Sequence, residues 1–116
     1  MNKLFVAAGS VLVLNTAPPT RARIFSQAVN VPDAYILLEF LGLGSQQGSI
    51  MDAVEVFFNG SLIHSETTLI GTNTNMLALP LYPIEGYGQL EVFVTNSSGV
   101  DTSVTAMIVG RYVPKS

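Results

Sequence analysis

The chain has 116 residues, no cysteine and a net charge of −3. That length fits one domain with a core large enough to stand without disulfides or metals, and the missing cysteine excludes thiol chemistry. Arg21 and Arg23 form the only close basic pair, so no basic stripe for a nucleic acid exists.

The charge count is low. Only 11% of residues are Asp, Glu, Lys or Arg, against about 25% in ordinary soluble domains. Ser, Thr, Asn and Gln together number 30. A surface built this way has little charge to resist association. It suits a protein covered by neighbours in an assembly, or one whose task is contact.

In chain order, a basic residue, Lys3, precedes an apolar run over residues 4–14. The run resembles a secretory signal, with Asn15-Thr16-Ala17 or Thr20-Arg21-Ala22 as cleavage contexts. It is too short for a transmembrane helix. Gly9-Ser10 divides it, so the preferred reading is strand, turn, strand over 3–7 and 10–15. Residues 1–17 then form a first hairpin or an arm that pairs with its own sheet or with a neighbouring subunit.

Pro18-Pro19 ends that unit. Residues 21–29 read as a strand, with Ala22, Ile24 and Ser26 on one face and Arg23, Phe25 and Gln27 on the other. Pro32-Asp33 marks a turn. Residues 34–43 are apolar on both faces, Tyr35, Leu37, Glu39 and Leu41 on one and Ile36, Leu38, Phe40 and Gly42 on the other. This suits a central strand. The loop over 44–49 lacks the spacing and the lysine of a phosphate-binding loop.

Residues 53–58 alternate and run into Asn59-Gly60, a strong hairpin signal, with 61–66 returning. Residues 67–75 read as a polar connection. Residues 76–81 read as a short strand whose Pro80 places it at an edge or strand end. Residues 81–88, with Tyr82, Pro83 and Tyr87, read as an aromatic loop. The longest feature follows: strands over 89–95 and 100–113, joined as a hairpin by Asn96-Ser97-Ser98-Gly99. About eight or nine strands without a helix predict an all-β, antiparallel β-sandwich of jelly-roll or immunoglobulin-like type.

No catalytic constellation is visible. His64 is the sole histidine and has no cysteine to share a metal with. There is no Gly-x-Ser-x-Gly elbow. Glu39, Glu55, Glu66, Glu85 and Glu91 are available as acids, but Glu55 and Glu91 fall on outward strand positions. The sequons at Asn59 and Asn96 are explained by turn chemistry. The expectation is a non-enzymatic protein with no cofactor and no metal, and with neither nucleic acid nor membrane as partner.

The run Leu90-Glu91-Val92-Phe93-Val94-Thr95-Asn96-Ser97-Ser98-Gly99, followed by Thr102-Ser103-Val104-Thr105-Ala106-Met107-Ile108-Val109-Gly110, resembles small β-sandwich virion proteins. Bacteriophage capsid cement (decoration) proteins include such folds. The resemblance is one of pattern over most of the chain. It implies a structural protein at the capsid surface that clamps major capsid subunits, as a homotrimer at three-fold positions. Within that reading Leu4, Phe5, Val11, Leu12, Tyr82 and Tyr87 are the expected partner contacts. The alternative is a carbohydrate- or receptor-binding module, as in a phage spike or a secreted adhesin.

Overall fold

The computed structural model describes residues 3–13, 20–45, 50–70, 75–96 and 101–115. They form six strands: β1 (Leu4–Val13), β2 (Thr20–Ser45), β3 (Ile50–Phe58), β4 (Ser61–Ile70), β5 (Asn75–Asn96) and β6 (Thr102–Pro114). All pairings are antiparallel, in the order β1-β6-β2-β5-β3-β4. The count is six, not eight or nine, because two strands are very long.

Length explains how one hydrogen-bonded sheet becomes a sandwich. At ~3.3 Å per residue, the 26 residues of β2 would overreach the 49 Å long axis of the molecule if straight. The β2–β5 ribbon therefore bends where the register jumps from Asn30↔Tyr87 to Tyr35↔Glu85. Gly86 occupies the corner. Residues 34–45 of β2 and 75–85 of β5 join β1 and β6 in one layer, here layer A. Residues 20–30 of β2 and 87–96 of β5 join β3 and β4 in the other, layer B. Two four-stranded layers in this order make a jelly roll.

The core lies between the layers. Phe5, Ala7 and Val13 of β1, Ile36, Leu38, Leu41 and Leu43 of β2, and Val104, Ala106 and Ile108 of β6 come from layer A. Val54 and Val56 of β3 and Leu90, Val92 and Val94 of β5 come from layer B. Gly9 marks a close approach: a Cβ there would lie 2.6 Å from Phe25 Cβ across the interior. A buried hydrogen bond of 2.8 Å joins Ser45 Oγ and Thr102 Oγ1.

Several expectations change. The run at 3–15 is not a hairpin over its described part: β1 pairs without a break with β6, and Gly9 serves packing rather than a turn. Residues 81–88 are not a loop but part of β5, paired with β2. The predicted hairpin over 89–113 does not form either, because β5 and β6 share no ladder. The apolar second half of β2 takes the place beside β6, and residues 87–96 lie in the opposite layer. Turn chemistry marks a reversal without saying which strand then pairs. β4 also runs on to Ile70, through part of the predicted polar connection.

Two bulges reset the strand faces. A register shift between Arg23 and Phe25 buries Ile24 and Phe25 together, where strict alternation sets them apart. Another between Leu38 and Phe40 flips the parity of β2, so that Leu41 and Leu43 follow Ile36 and Leu38 into the core while Phe40 turns outward. The central placement of 34–43 holds, with β6 on one side and β5 on the other. Pro80 sits at an edge, as expected, beside the shift opposite Leu38 and Phe40. The Asn59-Gly60 hairpin also forms, with φ of 51° and 80° at its two central residues. Asn59 is tied to β5 by its N–H on the Gln89 carbonyl (2.9 Å) and by Oδ1, which accepts from the Gln89 N–H (2.8 Å). The loop at 46–49 and the Pro18-Pro19, 71–74 and 97–100 segments lie outside the described residues.

Candidate functional site

The two outer faces of the sandwich differ in chemistry. Directly opposed residues in an antiparallel ladder share a face, so the registers list what each face carries. Across layer A one row reads Val6, Val109, Phe40, Ala78. The next reads Ala8, Met107, Gly42, Met76. Val6, Phe40 and Met76 are each more than two-fifths exposed, and the bare Gly42 lets them form one shallow apolar field. Leu4 extends it along β1 at 69% exposure, and Leu12, 59% exposed, stands beyond the Ser10–Thr105 row. Among the described residues the charged pairs on this layer are Arg111 with Glu39, Nε to Oε2 3.6 Å, and Lys115 with Glu85, both beyond the Val6–Val109–Phe40 row.

Layer B turns a paired polar face outward. Arg21 Nε donates to Glu55 Oε1 (2.8 Å), and Arg23 Nη1 donates to Glu91 Oε2 (3.2 Å). The Arg21 guanidinium also lies 3.9 Å from the Phe93 ring centroid and 5.5 Å from that of Phe57. Those rings meet edge to face at 5.4 Å. Stacking and ion pairing satisfy one another here, and the aromatic surface is covered by charge.

The six expected contact residues fall in different places. Leu4 and Leu12 are exposed on the layer A face. Phe5 is in the core, edge to face with Tyr112 at 5.7 Å, and Val11 is half-buried against the core. Tyr87 is 65% exposed at the β2–β5 corner, beside a cleft of about 400 Å³ lined by Asn30, Asn59 and Gln89 among others. The side chain of Tyr82 lies outside the described residues. Sequence reading missed Phe40, Met76, Ala78, Met107 and Val109. The bulge at Glu39 hid Phe40, and the others become neighbours only once the strand order is known.

His64 Nε2 and Glu66 Oε1 are 3.1 Å apart on β4. Among the described residues no group of three His, Cys, Asp or Glu side chains converges as a metal site would require. Lys115 Nζ donates to Glu85 Oε2 and lies 4.9 Å from the Tyr35 ring centroid. The hydrogen bond to Glu85 raises the Lys115 pKa above its ordinary 10.5. Among the described residues no helix is long and apolar enough to cross a membrane.

Comparison with known proteins rests on shape. No family model matches the chain, and no curated protein matches it in sequence. Solved structures do match. A chain in the structure of infectious bursal disease virus, Gx strain, superposes with a TM-score of 0.60 at 10% identity, covering 99% of this chain and 32% of that one. The chain shares its fold with part of that virus-particle protein. It is not confined to viruses: insecticidal delta-endotoxin Cry8Ea1 from Bacillus thuringiensis matches at TM-score 0.52 and 11% identity, over 84% of this chain and 20% of its own. The VP2 subviral particle of infectious bursal disease virus matches at 0.50 and 11%, over 97% and 33%. The chain thus spans about a third or less of the length of these structures.

Proposed function

We propose that the chain is a non-enzymatic structural subunit of a virus particle, of the capsid cement class, and that the outer face of layer A lies against shell subunits. The observation that carries this reading is the sidedness of the surface. An apolar field of Val6, Phe40, Met76, Met107 and Val109 covers one layer, while the paired charges Arg21, Arg23, Glu55 and Glu91 cover the other. In a free particle, exposed apolar area of this kind favours association, at roughly 25 cal/mol for each Å² removed from water. A cement protein needs one adhesive side and one wettable side, and this chain has both. The jelly roll itself hosts viral capsid and lectin domains alike, so the surface and not the fold chooses between the two readings.

Co-sedimentation with shells assembled without the protein tests the reading. The unmodified chain binds, Phe40→Glu lowers the affinity at least tenfold, and Arg23→Ala on the opposite face leaves it unchanged. A chain that ignores such shells but retains glycans through the Tyr87 cleft reverses the conclusion in favour of a carbohydrate-binding module.

A further inference from the structure

Among the described residues β1 pairs with β6 on one side and with no strand on the other. The phase of that ladder is set by the Tyr112 N–H, which donates to the Lys3 carbonyl at 2.8 Å. Odd-numbered residues of β1 therefore aim their backbone polar groups at β6. Leu4, Val6, Ala8, Ser10 and Leu12 aim their N–H and C=O groups at the open edge.

Open edges are normally blunted by proline, charge or a bulge. The rest of this fold follows that rule. The edge at β2 carries Arg21, Arg23 and a register shift. The β5 edge carries Pro80 and Pro83. On the β4 edge the ladder breaks opposite Val56 and Phe57, and His64 and Glu66 are paired. β1 alone has none of these: its register runs unbroken from Leu4↔Arg111 to Val13↔Thr102, with no proline and no charged side chain.

We propose that β1 pairs antiparallel with β1 of a second copy, about a two-fold axis at Ala8. The strand is complementary to itself in that register. Leu4 stands opposite Leu12 of the second copy, Val6 opposite Ser10, and Ala8 opposite Ala8. All five outward-directed residues then exchange hydrogen bonds, so every free N–H and C=O on them is satisfied. Outward side chains meet outward ones, and on the inner face Phe5 meets Val11 and Ala7 meets Gly9. A one-residue slip would set outward residues against inward ones, and the axis at Ala8 is the one that pairs all five outward residues of β1 among themselves. Two uncharged strands bring no repulsion. The pairing also joins the two layer A faces into one sheet with one continuous apolar surface. This rests on the assembly reading above and supplies its building block, a two-fold unit in place of the three-fold clamp that the resemblance to cement proteins implies.

The native mass in solution, by light scattering or sedimentation, tests the pairing without any shell present. The unmodified chain gives twice the chain mass. Ala8→Lys and Ala8→Glu each give the single-chain mass, because the axis sets each new charge against its own copy, and the dimer dissociation constant rises at least ~100-fold. Mixing the two variants restores the doubled mass. Ala8 is exposed and its N–H points away from β6, so both variants keep the strand signature in circular dichroism. A single-chain mass for the unmodified protein, a trimer, or an Ala8→Lys variant that still doubles overturns the proposal. Each of those outcomes leaves shell binding through Phe40 to be judged by co-sedimentation alone.

Discussion

Gly86 and Val31 meet so closely that a Cβ on the glycine would lie 2.0 Å from the Val31 carbonyl oxygen and 2.5 Å from that of Ala34. Both contacts are to backbone, so neither can give way by a side-chain rotation. They lie in the corner where the β2–β5 ribbon leaves one layer for the other. Gly86→Ala is therefore expected to cost about 3 kcal/mol or more, the upper end for overpacking. Urea unfolding should show a lower midpoint with an unchanged slope.

The buried hydroxyl pair Ser45 and Thr102 joins β2 to β6 inside the core at 2.8 Å. Thr102→Val keeps the shape and removes the bond, at an expected cost of about 1 kcal/mol. Combined with Ser45→Ala, the loss should fall short of the sum of the two single changes. A double-variant cycle by chemical denaturation measures this.

Arg21 serves two rings and one carboxylate at once. Lysine keeps the charge but lacks the flat guanidinium. Arg21→Lys should destabilise by about 0.5–1 kcal/mol, the size of an exposed cation–π contact. Added salt should recover little of the difference, because stacking is screened less than an exposed ion pair. Thermal unfolding at low and high salt checks both parts.

Lys115 is held at the corner by Glu85, its backbone N–H donating 3.0 Å to the Asp33 carbonyl. Its pKa is raised in the folded state. The stabilisation is thus complete below the unfolded pKa and is lost as pH rises through the folded one. Glu85→Gln should bring the ammonium group back toward 10.5, the ordinary value. An NMR titration of the lysine side chain between neutral and strongly alkaline pH reads the shift.

Much of the fold is legible in the chain because strand signals are local. The alternation of Val54, Val56 and Phe58 and the Asn59-Gly60 turn give β3 and β4 directly. What is not legible depends on residues distant in sequence. Gly9 looks like a turn until Phe25 is found against it. Phe40 looks like a core residue until the bulge at Glu39 flips its face. The expected contacts fared according to the same rule. Leu4 and Leu12 are exposed and Phe5 is not, because alternation along β1 divides them. The apolar field itself is assembled from four strands that are not consecutive, so no window of sequence contains it.

The position of β6 between β1 and β2 has a cost during translation. β1 can find its ladder partner only after β6, the last of these six strands in chain order, has left the ribosome. Until then an uncharged, strand-forming segment waits in the nascent chain beside other apolar strands. Yield in the cell should accordingly follow chaperone capacity more closely than the stability of the finished sandwich.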